Sequence, residues 1–366
     1  MDRAATIERL TAIWSRALRL PSADVDANFF DLGGDSLMAV GLFLEIEQAL
    51  GIKFPITAIY DAPTIRELAE LIESEAAPAY DHFVTLKPGD DSAPFFIVHG
   101  VGGTVIELAT LGKLIRGPNA VYAIQARGLD GRAPPLERIE DMAALYVEEI
   151  KRRQKQGPYR IGGYSFGGVV AFEMARLLGP ENVAQLLMID AYAHPHTWPL
   201  KSRATVRARK LAYRVRDLSQ QPFGATVAVV RRKLLNLFRD REARKAERAV
   251  YVNNWLGAVD PNLPLPLRQT RVAGDAALIA HSPKYYPGKI TFIRAGKTGP
   301  VFPSDAANVW RRKTRHFELH TTLGDHRSML SAHAPALAER ISALLAPPKS
   351  EAVHHAVRME LQASLP

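Results

Sequence analysis

Residues 159–178 place the tightest constraint on what this chain can fold into. A short run from Tyr159 to Ile161 enters Gly162, Gly163, Tyr164, Ser165, Phe166, Gly167 and Gly168, and an apolar helical stretch from Val169 to Leu178 follows. This reads as a strand, a G-x-S-x-G turn and a helix. Such a sharp turn exposes the serine oxygen, and glycine on either side lets the chain reverse without Cβ clashes. A plain turn also uses glycine, so the placement between strand and helix is what favours chemistry at Ser165.

The surrounding sequence supplies the sheet such a turn needs. From Pro94 onward, β-rich runs at Phe95 to His99, Val121 to Gln125, Tyr159 to Gly162, Leu186 to Asp190, Ile290 to Arg294 and Phe317 to His320 alternate with helical stretches. That alternation predicts a mostly parallel sheet covered by helices. It breaks at 197–280, where a long helical, Arg-rich segment reads as an insertion over the active edge of the sheet. The chain before Ala76 differs. Amphipathic runs near 3–19, 35–50 and 63–75, separated by Pro21, Gly33, Gly34, Gly51, Pro55 and Pro63, predict a small helical bundle. The expected organisation is a helical module over 1–76, a linker over 77–93, an α/β domain over 94–346 and a tail over 347–366.

Two domains suit 366 residues. No stretch approaches the ~18 consecutive apolar residues of a membrane span, and the start lacks an apolar signal core, so the expected location is cytoplasmic. The chain has no cysteine, which excludes disulfides, cysteine metal sites and a cysteine nucleophile; no metal is expected. The net charge of +9 hides an asymmetry: residues 1–78 hold 13 acidic against 6 basic side chains, so an acidic module is tethered to a basic one.

A serine hydroxyl is a poor nucleophile until a base removes its proton, and the base needs an orienting acid. In strand-turn-helix hydrolases these follow the serine as acid, then histidine. Asp190 ends the apolar run Leu186 to Ile189, which sets a carboxylate at a strand's C-terminal edge, although a loop cap or an arginine partner would use the same residue. His326, in Gly324-Asp325-His326-Arg327, lies between the last expected strand and the final helix, and is preferred over His320. Oxyanion donors would be the backbone N–H groups of Phe166 and of Val101, in the His99-Gly100-Val101-Gly102-Gly103 loop. Those glycines also suit a flexible turn.

In the first module, Gly33, Gly34 and Asp35 directly precede Ser36 at the start of an expected helix. The positive helix terminus there suits a phosphate, and the same residues make an ordinary N-cap. The LGGDSL motif, together with the layout of residues 5–75, resembles peptidyl and acyl carrier domains, more those of nonribosomal peptide synthetases than of fatty-acid synthesis. The resemblance implies a four-helix carrier with 4'-phosphopantetheine covalently attached at Ser36 by a phosphopantetheinyl transferase. Residues 80–346 resemble type I thioesterase domains of nonribosomal peptide and polyketide assembly lines through GYSFGG, LLMIDAY and GDHRSML. This implies an α/β-hydrolase fold with a lid, in which Ser165, Asp190 and His326 take an acyl or peptidyl group from the carrier thioester and release it by hydrolysis or cyclisation. Upstream synthetase modules or a loading enzyme are then partners. The sequence departs from the family in reading HGVGG where HPAGG-like forms are common, and in its long insertion.

Between Thr197 and Ala280 stand 17 basic against 6 acidic side chains, and Val227, Val230, Leu234 and Leu237 recur at helical spacing. A solvated face over an apolar stripe accounts for this pattern. So does a basic lid that steers the acidic carrier, with an anionic lipid surface as a second binding reading and nucleic acid, for which no fold is visible, as a third. Two other functions fit the same residues: an editing thioesterase that clears misloaded carriers, and a carrier scaffold whose hydrolase-like domain only docks partners.

Overall fold

The computed structural model describes residues 3–34, 36–52, 54, 58–74, 81–220, 263–299, 302–303 and 305–346. The N-terminal module is helical: α1 (Arg3–Leu18), α2 (Ser36–Leu50), the short α3 (Ala58–Asp61) and α4 (Ile65–Glu73). Leu10, Ile13 and Trp14 recur at helical spacing on α1 and are buried against Leu42 and Ile46 of α2 and Leu68 and Ile72 of α4. Trp14 meets the edge of Phe29 at 5.4 Å, which anchors the 28–34 loop to this core. Gly34 is required there, because a Cβ would lie 2.3 Å from the Phe29 ring. α4 starts at a reciprocal cap: Thr64 Oγ1 accepts from the Glu67 N–H (3.2 Å), and the Thr64 N–H donates to Glu67 Oε2 (3.0 Å).

The second module is a seven-stranded sheet in the order β1-β3-β2-β4-β5-β6-β7. Its strands are β1 (Phe83–Lys87), β2 (Asp90–Val98), β3 (Asn119–Ile124), β4 (Tyr159–Tyr164), β5 (Val183–Ile189), β6 (Tyr286–Lys297) and β7 (Thr314–Asp325). Only β1 is antiparallel to its neighbour. Strand residues alternate between two cores with period two. Phe96 and Val98 face α6 (Ile139–Arg153) and α7 (Phe166–Leu178), while Phe95 and Ile97 share a core with Leu111 of α5 (Ala109–Leu114) and Ile341 of the last helix, Ala334–Leu345. This is the mostly parallel, helix-covered sheet expected from the alternation, and the α/β-hydrolase arrangement implied by the resemblance.

The structure departs from the expected linker over 77–93, which contains β1 and the start of β2. The cause is non-local: Val84 and Leu86 are buried because β1 pairs with β3, whose partner residues lie some forty positions away. β6 and β7 also run to 12 residues each, longer than their apolar cores suggested. Of the insertion, α8 (Leu200–Gln220) and α9 (Leu265–Ala280) are described. The stripe from Val227 to Leu237 and the tail over 347–366 lie outside the described residues. Among the described residues no helix is long and apolar enough to cross a membrane.

The capping box gives a local test. Thr64→Ala removes the Oγ1 acceptor of the Glu67 N–H and the hydroxyl's own bond to Glu67 Oε2 but keeps the backbone N–H bond to Glu67. It should destabilise the helical module by about 1 kcal/mol, read as faster hydrogen exchange of the α4 amides with the α7 amides unchanged.

Candidate active site

Parallel pairing sets the C-terminal ends of neighbouring strands in a row. Val98 of β2 pairs with Gly163 of β4, and Tyr164 pairs with Ile189 of β5. The residues that follow those strands, His99 to Gly103, Ser165 and Asp190, therefore meet at one edge. The order also reverses at β2, which lies between β3 and β4, and a crevice opens where strand order reverses.

Ser165 has φ 54° and Asp190 has φ 44°, left-handed conformations that non-glycine residues rarely adopt. Each is held by a backbone bond to the next strand: the Ser165 N–H donates to the Ile189 carbonyl (2.8 Å) and the Asp190 N–H to the Ile293 carbonyl (2.8 Å). The turn depends on missing side chains. A Cβ on Gly163 would lie 2.2 Å from the Gly167 carbonyl, and one on Gly167 would lie 2.3 Å from the His99 carbonyl oxygen.

His326 reaches back over this edge from the end of β7. Its Nε2 is 3.1 Å from Ser165 Oγ and its Nδ1 2.8 Å from Asp190 Oδ2. The other Asp190 oxygen, Oδ1, accepts the Ala295 N–H at 3.1 Å. Asp190 is 4% exposed, so this carboxylate serves the imidazole rather than solvent. The imidazole lies between two aromatic rings, Tyr164 at 4.9 Å and Phe302 at 4.8 Å, and the Tyr164 hydroxyl donates to the His326 carbonyl. His320 instead bonds Glu318 at 2.9 Å, apart from the serine.

The expected oxyanion residues converge. Phe166 opens α7, where the first N–H groups lack intrahelical acceptors. Val101 and Phe166 line a common narrow cleft, partly open to solvent, together with His99, Thr270 and Gly274. Gly274 brings α9 against the loop, since a Cβ there would lie 3.0 Å from the Val101 carbonyl oxygen. Thr270 Oγ1 is buried in this wall and has no hydrogen-bond partner among the described residues.

Several residues here were not singled out from sequence. Tyr164 adjoins the nucleophile and could have been found by its position; Phe302 could not, because it reaches His326 only through the fold. Glu107 stands beside the oxyanion loop: a Cβ on Gly100 would lie 2.1 Å from Glu107 Oε1. Desolvation by the surrounding protein raises the Glu107 carboxyl above the usual range, and the charges of His326 and Arg271 and the Gly100 backbone act in the opposite sense. His99 is 1% exposed, and burial pushes its pKa down to about 4. Its ring nitrogens are satisfied in the neutral form, Nδ1–H donating to the Gly100 carbonyl (2.5 Å) and Nε2 accepting the Tyr146 hydroxyl (2.8 Å).

At the other site, Ser36 is the first residue of the 15-residue α2, and Gly33 before it has φ 89°. The free N–H groups of that helical turn fit a phosphodiester on the serine.

Two tests follow. Gly163→Ala should lower turnover by at least about 100-fold by forcing the turn apart, whereas Gly102→Ala, whose Cβ would meet nothing within 4 Å, should keep parental turnover of a soluble thioester. A histidine with a depressed folded pKa binds its proton more readily when unfolded, so stability falls as pH drops from about 6.5 toward 4. His99 should account for roughly 3 kcal/mol of the loss between about pH 7 and pH 4, measured as the difference in urea unfolding between the parent and His99→Gln.

Comparison with known families matches both modules. Residues 93–345 match the thioesterase domain family and residues 8–72 match the phosphopantetheine attachment site family. A dimodular nonribosomal peptide synthase of Bacillus subtilis is 33% identical over 315 residues, covering 83% of this chain and 12% of the relative. Indigoidine synthase of Streptomyces lavendulae is 37% identical over 190 residues, 51% of this chain and 15% of that protein. The chain thus spans under a sixth of these relatives. Among solved structures, a holo four-domain nonribosomal peptide synthetase bound to AMP and glycine superposes with TM-score 0.55 at 23% identity, over 94% of this chain and 26% of that one, a likeness of fold. The chain belongs to the thioesterase domain family of serine hydrolases and carries a phosphopantetheine attachment domain ahead of its hydrolase fold.

Proposed function

We propose that the chain holds an acyl or peptidyl thioester on a phosphopantetheine arm at Ser36, transfers the acyl group to Ser165, and releases it by hydrolysis or cyclisation in nonribosomal peptide or related biosynthesis. The observation that carries this reading is His326 bridging Ser165 and Asp190 within one chain that also contains the attachment domain. When attached, the arm supplies a thiol that carries the acyl group as a thioester.

Asp190 accepts the Nδ1–H of His326, which leaves Nε2 as the acceptor facing Ser165. Ser165 Oγ attacks the thioester carbonyl, its proton passes to Nε2, and the oxyanion is held by the N–H groups of Phe166 and Val101. The C–S bond then breaks, Nε2 returns the proton to the departing sulfur, and the acyl group remains as an ester on Ser165. In release, Nε2 takes a proton from water or from a nucleophile of the acyl chain, and the ester oxygen recovers it. The Tyr164 and Phe302 rings keep the imidazole in register through both half-reactions. Burial raises the Tyr164 hydroxyl above its ordinary pKa, so it stays a donor to the His326 carbonyl throughout.

Loading of Ser36 requires a phosphopantetheinyl transferase, and acyl supply requires upstream synthetase modules or a loading enzyme. Intact mass spectrometry of phosphopantetheinylated, acyl-loaded chain tests the reading. Ser165→Ala should retain the acyl mass at least about 1000-fold longer than the parent, and Asp190→Asn should slow release by a similar factor with Ser36 loading unchanged. Equal acyl loss from Ser165→Ala and parent would rule out Ser165 as nucleophile.

A further inference from the structure

Among the described residues, the helical module meets the hydrolase at the 28–34 loop, which leads into Ser36. Asp31 Oδ1 accepts from Lys113 Nζ of α5 at 2.8 Å, and the same ammonium lies 5.8 Å from the centre of the Phe30 ring. Ile106, Ala126, Leu129 and Leu267 of the hydrolase also join the buried apolar cluster of the helical module, against which Leu32 and Met38, which flank Ser36 in sequence, are packed.

Each of those four residues lies on an element that builds the site. Ile106 precedes Glu107, Leu267 lies on α9 with Thr270 and Gly274, and the Ala126 N–H bonds the Gly103 carbonyl at the end of the 99–103 loop (2.9 Å). Leu129 adjoins the same glycine, where a Cβ would lie 3.3 Å from its side chain. A carrier seated here keeps the 28–34 loop, which leads into Ser36, against the hydrolase through Lys113.

We propose that Asp31 and Phe30 of the carrier and Lys113 of α5 form a dissociable latch that seats the carrier on the thioesterase for delivery of the acyl group, with Ile106 and Leu267 as its apolar floor. The latch rests on the carrier-to-serine reading above. Among the described residues it adds to the charge complementarity anticipated for the lid an acid-base contact made by α5, outside the 197–280 insertion.

Its weakness suits the task. Lys113 and Asp31 are 42% and 69% exposed, and such pairs change an equilibrium by a factor of a few. A tethered partner is already present at ~mM effective concentration, so factors of that size set how long the carrier stays seated without trapping it. A carrier that must also visit a loading enzyme and an upstream module needs such a contact.

The test uses the full chain and a probe independent of the natural acyl group. Ser36 is loaded with a pantetheine analogue ending in a fluorophosphonate; Ser165 Oγ attacks phosphorus, fluoride leaves, the proton passes to His326, and intact mass reports the loss of HF as the two serines become linked. Asp31→Lys and Lys113→Glu should each slow this linkage about three- to tenfold, and the double variant, which restores the pair with its signs reversed, should return to within about twofold of the parent. A soluble alkyl fluorophosphonate should label Ser165 at one rate in all four proteins. Single variants that link at the parental rate, or a double variant as slow as the slower single, would overturn the latch. Failure of the arm to load on Ser36, or of the soluble probe to label Ser165, would instead overturn the carrier-to-serine reading and the latch with it.

Discussion

The approach of backbone to backbone at the Ser165 turn is the constraint on which the remaining architecture depends. Gly163 faces the Gly167 carbonyl, and Gly167 faces the carbonyls of Val98 and His99, all closer than a Cβ allows. The start of α7 is therefore pressed against the ends of β2 and β4, and the oxyanion loop follows β2 directly. Ser165 takes up the turn with a left-handed φ that costs on the order of 1–3 kcal/mol. That cost is borne by neighbours: its N–H is fixed to β5, and Asp190 at the end of β5 is fixed to β6 in the same way. Two strained residues on adjacent strands thus share one sheet edge, and His326 closes over both.

What was legible in the sequence follows from this layout. Ser165 could be read because its turn needs local glycines, and Asp190 because a carboxylate ending the apolar run Leu186 to Ile189 has few structural reasons to be there. His326 was legible by its place between the last strand and the last helix. The strand-helix alternation gave the parallel sheet for the same reason: each element carries its own periodicity. What escaped is non-local. The five residues of β1 sit among turn-forming neighbours and become a strand only by pairing with β3. Phe302 and Glu107 carry no motif, and their relation to His326 arises when loops from separate strands converge. Thr270 and Gly274 read as part of a featureless lid helix, yet they form a wall of the cavity beside Phe166.

The charge asymmetry, plain in the sequence, takes a more particular form in three dimensions. The helical module has few basic side chains, and several of them are engaged internally: Arg66 forks onto both oxygens of Asp26, and Arg16 onto Glu45. Those pairs tie α4 and α1 to the rest of the module. Asp31, in the loop anchored by Phe29 and shaped by Gly34, faces outward and finds its cation on the hydrolase. Excess acidity in the first module is therefore not a diffuse attraction alone, because the loop that carries Asp31 is the one that leads into Ser36.

The two serines accordingly sit in mechanically opposite settings. Ser165 is held by bonds whose geometry leaves no slack: absent Cβ atoms, buried carboxylate contacts and an imidazole between two rings. Its chemistry needs that rigidity, since a displacement of an ångström in a nucleophile-base pair costs about two orders of magnitude. Ser36 belongs to a module that, among the described residues, meets the hydrolase through an exposed ion pair worth little alone, a cation-ring contact and a shared apolar cluster. Under the proposed delivery, a preorganised serine acts on whatever arrives and a loosely seated carrier delivers and leaves. Strengthening the second contact to match the first would then lengthen the carrier's stay at the thioesterase at the expense of any other site it must visit.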